Sequence, residues 1–121
     1  MTLIWLTLIW LTSTVSGYKG WVLTLSYRSS ARAAMTQSDL DALLEVARSR
    51  NQQVGVTGML IYTGQGFRQT LEGPDEAVEA IFASIQGDPR HHEIVVTQRS
   101  EIALRVFPDW SMRFEFLRPP R

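Results

Sequence analysis

The order in which two hydrophobic periods alternate along the chain constrains its fold most strongly. From Trp21 to Tyr27 the period is two, which puts Trp21, Leu23, Leu25 and Tyr27 on one strand face and Val22, Thr24 and Ser26 on the other. A helical period follows, with Leu40, Leu43, Leu44 and Ala47 on one stripe that ends near Asn51. Thr36, with Asp39 three positions on, marks its start. Gly55 to Tyr62 and Gly66 to Leu71 are strand-like runs around Thr63-Gly64-Gln65-Gly66, a hairpin composition. Pro74 suits the first turn of a second helix, Val78, Ile81, Phe82 and Ile85 form its apolar stripe, and Gly87 stops it. Glu93 to Gln98 reads as a fourth strand, and Trp110 to Phe116 as a fifth after the turn Phe107-Pro108-Asp109. This β-α-β-β-α-β order with one further strand predicts an α+β, ferredoxin-like fold, an antiparallel sheet with two helices on one face. A planar ligand can lie in the pocket between the helices and the sheet.

Composition narrows the function. With 121 residues and 45% hydrophobic content the chain can bury its own core. Lysine plus arginine equals aspartate plus glutamate, 12 against 12, so no field of one sign points to nucleic acid as a direct partner. The absence of cysteine excludes disulfides, thiolate metal sites and a cysteine nucleophile, and agrees with a cytoplasmic location. His91 and His92 are adjacent and lack a carboxylate or thiolate cluster at ligand spacing, so no metal site is expected.

Residues 1–17 form an apolar leader set apart from a domain over 18–121. Thr2-Leu3-Ile4-Trp5-Leu6 recurs as Thr7-Leu8-Ile9-Trp10-Leu11. Each repeat turns about 140° on a helix and changes face on a strand, so neither conformation gives a single stripe. The run is shorter than the roughly 18–20 residues that span a bilayer, and no cation precedes it as in a secretory signal. An accessory segment or an over-extended start is the expectation, with membrane contact by the leader as the alternative.

Gln69 is the most informative polar residue. It shares a strand face with Phe67 and Leu71, hence the core face. A primary amide buried there needs partners, because an unsatisfied one costs roughly 1–3 kcal/mol. Its donors and acceptor exchange places when the amide reverses, which suits contact with the edge of a ring. Tyr27 ends the first strand with an inward ring and Asn51 ends the first helix, so all three are expected to converge on the pocket. Taken alone, Asn51 suits a helix terminus, where Asn tolerates the left-handed conformation. Gly58, Gly66 and Gly73 fit turns and close packing and form no dinucleotide-binding fingerprint.

Six ordered blocks resemble BLUF domains, the blue-light sensors that use FAD. They are Tyr27-Arg28-Ser29-Ser30-Ala31, Asn51, Val56 to Tyr62, Phe67 to Gly73, Asp88-Pro89-Arg90-His91 and Trp110-Ser111-Met112. The likeness runs from about Trp21 to Phe116. It implies a photoreceptor and not an enzyme, with FAD held non-covalently between the helices. It implies that Tyr27 gives an electron and a proton to the excited flavin. Gln69 would bridge the phenol and the flavin N5/O4 edge, and its amide would rotate or tautomerise to produce a small red shift. Asn51, Asp88, Arg90 and His91 would contact the cofactor, with Arg50 as a further contact. Trp110 and Met112, on one face of the last strand, would relay the signal.

The same resemblance implies that the sheet surface passes the change to a downstream signalling protein in trans or to a second copy. Stand-alone relatives continue into helices that cover the sheet, and Arg118-Pro119-Pro120-Arg121 is too short to form them. Two other readings of the residues stand beside this one. An acylphosphatase-type hydrolase would use Arg28 or Arg32 for phosphate and Asn51 for water, and leaves Tyr27 and Gln69 idle. A flavin-free interaction module would keep the fold alone.

Overall fold

The computed structural model describes residues 21–117. It contains the strands β1 (Val22–Ala31), β2 (Thr57–Tyr62), β3 (Gly66–Gly73), β4 (His91–Ile102) and β5 (Arg113–Phe116), with helices α1 (Gln37–Gln53) and α2 (Asp75–Gln86). The sheet order is β4-β1-β3-β2-β5. The first four strands pair antiparallel and β5 runs parallel to β2, so the sheet is mixed where an antiparallel one was expected. The leader over 1–17 and the tail over 118–121 lie outside the described residues.

The period-two pattern of the strands builds the core. Leu23, Leu25 and Tyr27 of β1, Leu60 and Tyr62 of β2, and Phe67 and Leu71 of β3 are buried in one cluster. Leu40 and Leu44 of α1 and Val78, Ile81 and Phe82 of α2 close over them. Each such side chain contributes about 1.5–3 kcal/mol by leaving water. At the start of α1 the Thr36 hydroxyl accepts the Asp39 N–H and the Asp39 carboxylate accepts the Thr36 N–H, each at 3.0 Å. That capping box satisfies two donors that helix geometry leaves free. The helix continues past Asn51 to Gln53, and Gly55, not Asn51, takes the left-handed position with φ 73°.

Several strand boundaries differ from expectation. β1 runs on through Arg28-Ser29-Ser30-Ala31, because these residues pair with the start of β3 on one side and the start of β4 on the other. β4 is longer at both ends and accommodates its twist through two register irregularities against β1. β5 begins at Arg113 instead of Trp110, since the carbonyls of Trp110, Ser111 and Met112 accept from Gly58 N–H, Asn51 Nδ2 and Arg48 Nε respectively. Trp21, expected on the core face, precedes β1 and is 44% exposed.

Candidate functional site

A cleft opens between the two helices above the centre of the sheet. Leu60, Phe67, Tyr27 and Gln69 form its floor, Leu43, Val46, Ala47 and Arg50 of α1 one wall, and Ile85, Asp88, Arg90 and His91 the other. It encloses about 90 Å³, or about 610 Å³ with its open mouth counted. The walls are apolar and the polar groups converge from a few positions, the usual character of a site for a planar organic ligand.

A chain of three buried side chains crosses the floor. The Tyr27 hydroxyl donates to Gln69 Oε1 at 2.5 Å, and Gln69 Nε2 donates to Met112 Sδ at 3.5 Å. Tyr27 also packs against the rings of Phe82 and His91, with centroids at 5.6 and 6.1 Å. Burial pushes its phenol well above the ordinary tyrosine value, Arg50 opposes this, and Asp88 adds to it. The phenol is therefore neutral at physiological pH.

Asn51 and Arg50 occupy the α1 side. Asn51 is fully buried; its Nδ2 donates to the Ser111 carbonyl at 2.8 Å and its Oδ1 accepts from Arg50 Nε at 3.3 Å. Its carboxamide thus ties α1 to the segment before β5, and it is Arg50 that lines the cleft. Burial lowers the Arg50 pKa, and no salt bridge neutralises Arg50 among the described residues. In sequence, only its place before Asn51 drew attention to it.

On the α2 side, Arg90 and Asp88 hold each other through several hydrogen bonds, including Nε to Oδ1 at 2.9 Å. This pairing raises the Arg90 pKa and lowers that of Asp88. His91 is buried with both ring nitrogens engaged. Its Nε2 lies 2.7 Å from the Ile85 carbonyl and its Nδ1 2.7 Å from the Ser29 hydroxyl. A carbonyl only accepts, so Nε2 carries a proton, and the ring presents carbon to the cleft.

Trp110 and Met112 do not share a face. Met112 is 1% exposed and reaches Gln69, whereas Trp110 is 44% exposed with the Arg113 guanidinium 4.7 Å from its ring centre. Both precede β5, where the alternation of a strand does not apply.

The site therefore brings Tyr27, Gln69 and Met112 into one chain, places Arg50, Asp88, Arg90 and His91 on the walls, and leaves Asn51 behind the wall and Trp110 outside. Among the described residues no group of three His, Cys, Asp or Glu side chains gathers to hold a metal, and no helix is long and apolar enough to cross a membrane. A flavin suits this donor set. The cleft offers apolar side chains such as Val46 and Ile85 for a planar ring, a carboxamide at Gln69 for a polar edge, and a cation at Arg50.

Fold and site together define a light-sensing flavin module. The chain belongs to the BLUF family, described as sensors of blue-light using FAD, whose family model matches residues 22–113. The matched region is thus a photoreceptor that uses FAD, a sensor and not an enzyme. Over 90 residues it is 39% identical to photoactivated adenylate cyclase subunit beta of Euglena longa, covering 74% of this chain and 10% of that protein. It is 43% identical over 72 residues to the blue light- and temperature-regulated antirepressor BluF of Escherichia coli (strain K12), covering 60% of this chain and 18% of that one. The chain thus spans between about a tenth and a fifth of these two relatives. The dark-state structure of BlrB, a BLUF protein, superposes with a TM-score of 0.76 at 40% identity, over 82% of this chain and 75% of that chain.

Proposed function

We propose that blue light is sensed by the Tyr27–Gln69 pair, with FAD bound in the cleft between α1 and α2. When bound, the flavin supplies a blue-absorbing excited state able to accept an electron. Tyr27 is the donor, and Gln69 Oε1 is already in hydrogen-bond contact with its proton. Turning the Gln69 carboxamide over exchanges its oxygen and nitrogen, so that Nε2 donates to the phenol oxygen and Oε1 turns toward Met112. The thioether cannot donate to Oε1, so the Nε2–Sδ hydrogen bond is lost and Met112 repacks, which its flexible side chain allows. Arg50, Asp88, Arg90 and the His91 ring hold the cofactor, and Asn51 steadies Arg50 and the Ser111 carbonyl. Trp110 and Met112, in the segment before β5, carry the change onward.

In this reading the output is a downstream signalling protein acting in trans, or a second copy of the chain, in the cytoplasm. The names of the Euglena and Escherichia coli relatives couple light to cyclase activity and to antirepression. The short hydrogen bond between Tyr27 and Gln69 at the cleft floor is the observation that carries the proposal. Purified chain is expected to be yellow with released FAD and to show a reversible red shift under blue light. Colourless protein that hydrolyses acyl phosphates would favour the hydrolase instead, and colourless inert protein the flavin-free module.

A further inference from the structure

We propose that Glu72 is a positioning residue for this site. By gripping the connection between β4 and β5 from the opposite face of the sheet, it fixes where Ser111 and Met112 meet Asn51 and Gln69. The inference rests on the photoreceptor reading and adds a part to it.

Glu72 lies three residues from Gln69 along β3, so its side chain emerges on the other face. It is fully buried. A buried carboxylate is costly unless hydrogen bonds satisfy it. Here its two oxygens accept the backbone N–H groups of Val106, at 3.0 Å, and Phe107, at 2.9 Å. Arg105 reinforces the grip: Nη1 donates to Thr57 Oγ1 at 2.8 Å and to the Glu72 carbonyl at 3.1 Å, and Nη2 donates to the Gly55 carbonyl at 2.9 Å. Residues 105–107 are thereby pinned to the start of β2 and the end of β3.

The far end of the same segment is held at the site. Gly58 N–H donates to the Trp110 carbonyl at 3.1 Å, Asn51 to that of Ser111 and Arg48 to that of Met112, while Gln69 reaches the Met112 sulfur. Only four residues separate Phe107 from Met112, a reach of at most about 18 Å, and Pro108 stiffens the path. Hydrogen bonds to a charged acceptor are stronger than neutral ones, and thioether sulfur is a weak acceptor. The segment is thus held firmly at Glu72 and, through the charged Arg48, at the Met112 carbonyl, and the yielding contact is the Met112 thioether. When the Gln69 carboxamide turns, Met112 must answer against a segment whose other end cannot slide. A loosened clamp lets Met112 repack more freely and lowers the barrier to the return of Gln69.

The test uses the flavin-loaded chain with its methionine methyl groups labelled for NMR. In Glu72→Gln an NH2 faces a backbone N–H, which breaks one of the two carboxylate bonds while preserving shape. The expected result is a displaced Met112 methyl resonance in the dark and dark recovery at least about threefold faster, with FAD occupancy unchanged. Arg105→Ala removes the other three bonds of the clamp and is expected to move both readouts in the same direction. If Glu72→Gln fails to fold, Arg105→Ala decides alone. A variant with lowered Tm but the wild-type Met112 resonance and recovery rate would overturn the proposal, because the clamp would then serve stability only. A wild-type chain that binds FAD but shows no light-induced shift would defeat the photoreceptor reading, while the Met112 resonance would still report on the clamp.

Discussion

Tyr27 and Gln69 face each other directly across β1 and β3, and the phenol of one donates to the carboxamide oxygen of the other at 2.5 Å. Sheet register therefore sets the geometry of the proposed photoactive pair. A slip of one residue would turn Gln69 to the outer face. The next pair along, Ser26 and Thr70, resists that slip through a 2.7 Å hydrogen bond between their hydroxyls on the outer face.

Replacing Gln69 with leucine keeps most of the side-chain volume and removes every donor and acceptor. The variant is expected to bind FAD with near-wild-type occupancy and to lose the light-induced red shift, as measured by absorption before and after illumination. A shift of wild-type size would show that the red shift does not depend on the Gln69 carboxamide.

Tyr27→Phe is expected to bind FAD and fail to cycle, and it also has a consequence in alkaline solution. In the unfolded chain this tyrosine loses its proton near pH 10, whereas in the folded chain burial raises its pKa above that value. The folded state holds the proton more tightly, so the tyrosine's contribution to stability is complete below about pH 10 and is lost as pH rises toward the folded value. Urea unfolding above about pH 10 should fall off more steeply in the wild type than in Tyr27→Phe, by up to about 1.4 kcal/mol per pH unit. Parallel curves would mean that the phenol is not buried as described.

Removing the Asn51 carboxamide takes away the donor to the part-buried Ser111 carbonyl and the acceptor of Arg50 Nε. Asn51→Ala is expected to cost about 1–3 kcal/mol in urea unfolding and to weaken FAD retention, read as released flavin after dialysis. A fully stable variant would show that the segment before β5 does not depend on α1.

The fold and the Tyr27–Gln69 pair were legible in the sequence because they follow from periodicity: alternate residues of β1 and β3 face the helices, and both residues are in phase with buried leucines. Thr36 and Asp39 likewise announced the start of α1 through local chemistry alone. The segment carrying Trp110 and Met112 was misread as strand because its apolar and aromatic residues fit a period of two. Its carbonyls are instead taken by Asn51, Arg48 and Gly58, groups far away in sequence. The places of Glu72 and Arg105 were hidden for the same reason, since a buried carboxylate and the cation beside it are defined by partners that no local pattern reveals.

Gly58 tests the close approach of β2 to β3. A Cβ built there falls on the Thr70 carbonyl oxygen, a backbone atom with little freedom to withdraw. Gly58→Ala is expected to destabilise the chain by about 1–3 kcal/mol, measured as a lower urea midpoint. An unchanged midpoint would mean that the two strands separate more easily than their ladder suggests.

The most direct test of the Tyr27–Gln69 mechanism is a light-minus-dark infrared difference spectrum of the FAD-loaded chain with isotope-labelled glutamine side-chain carbonyls and tyrosine rings. Label-sensitive bands from both residue types are predicted, with the glutamine band missing in Gln69→Leu and the tyrosine band missing in Tyr27→Phe. Flavin bands that shift under light with no label-sensitive glutamine or tyrosine band would contradict the mechanism.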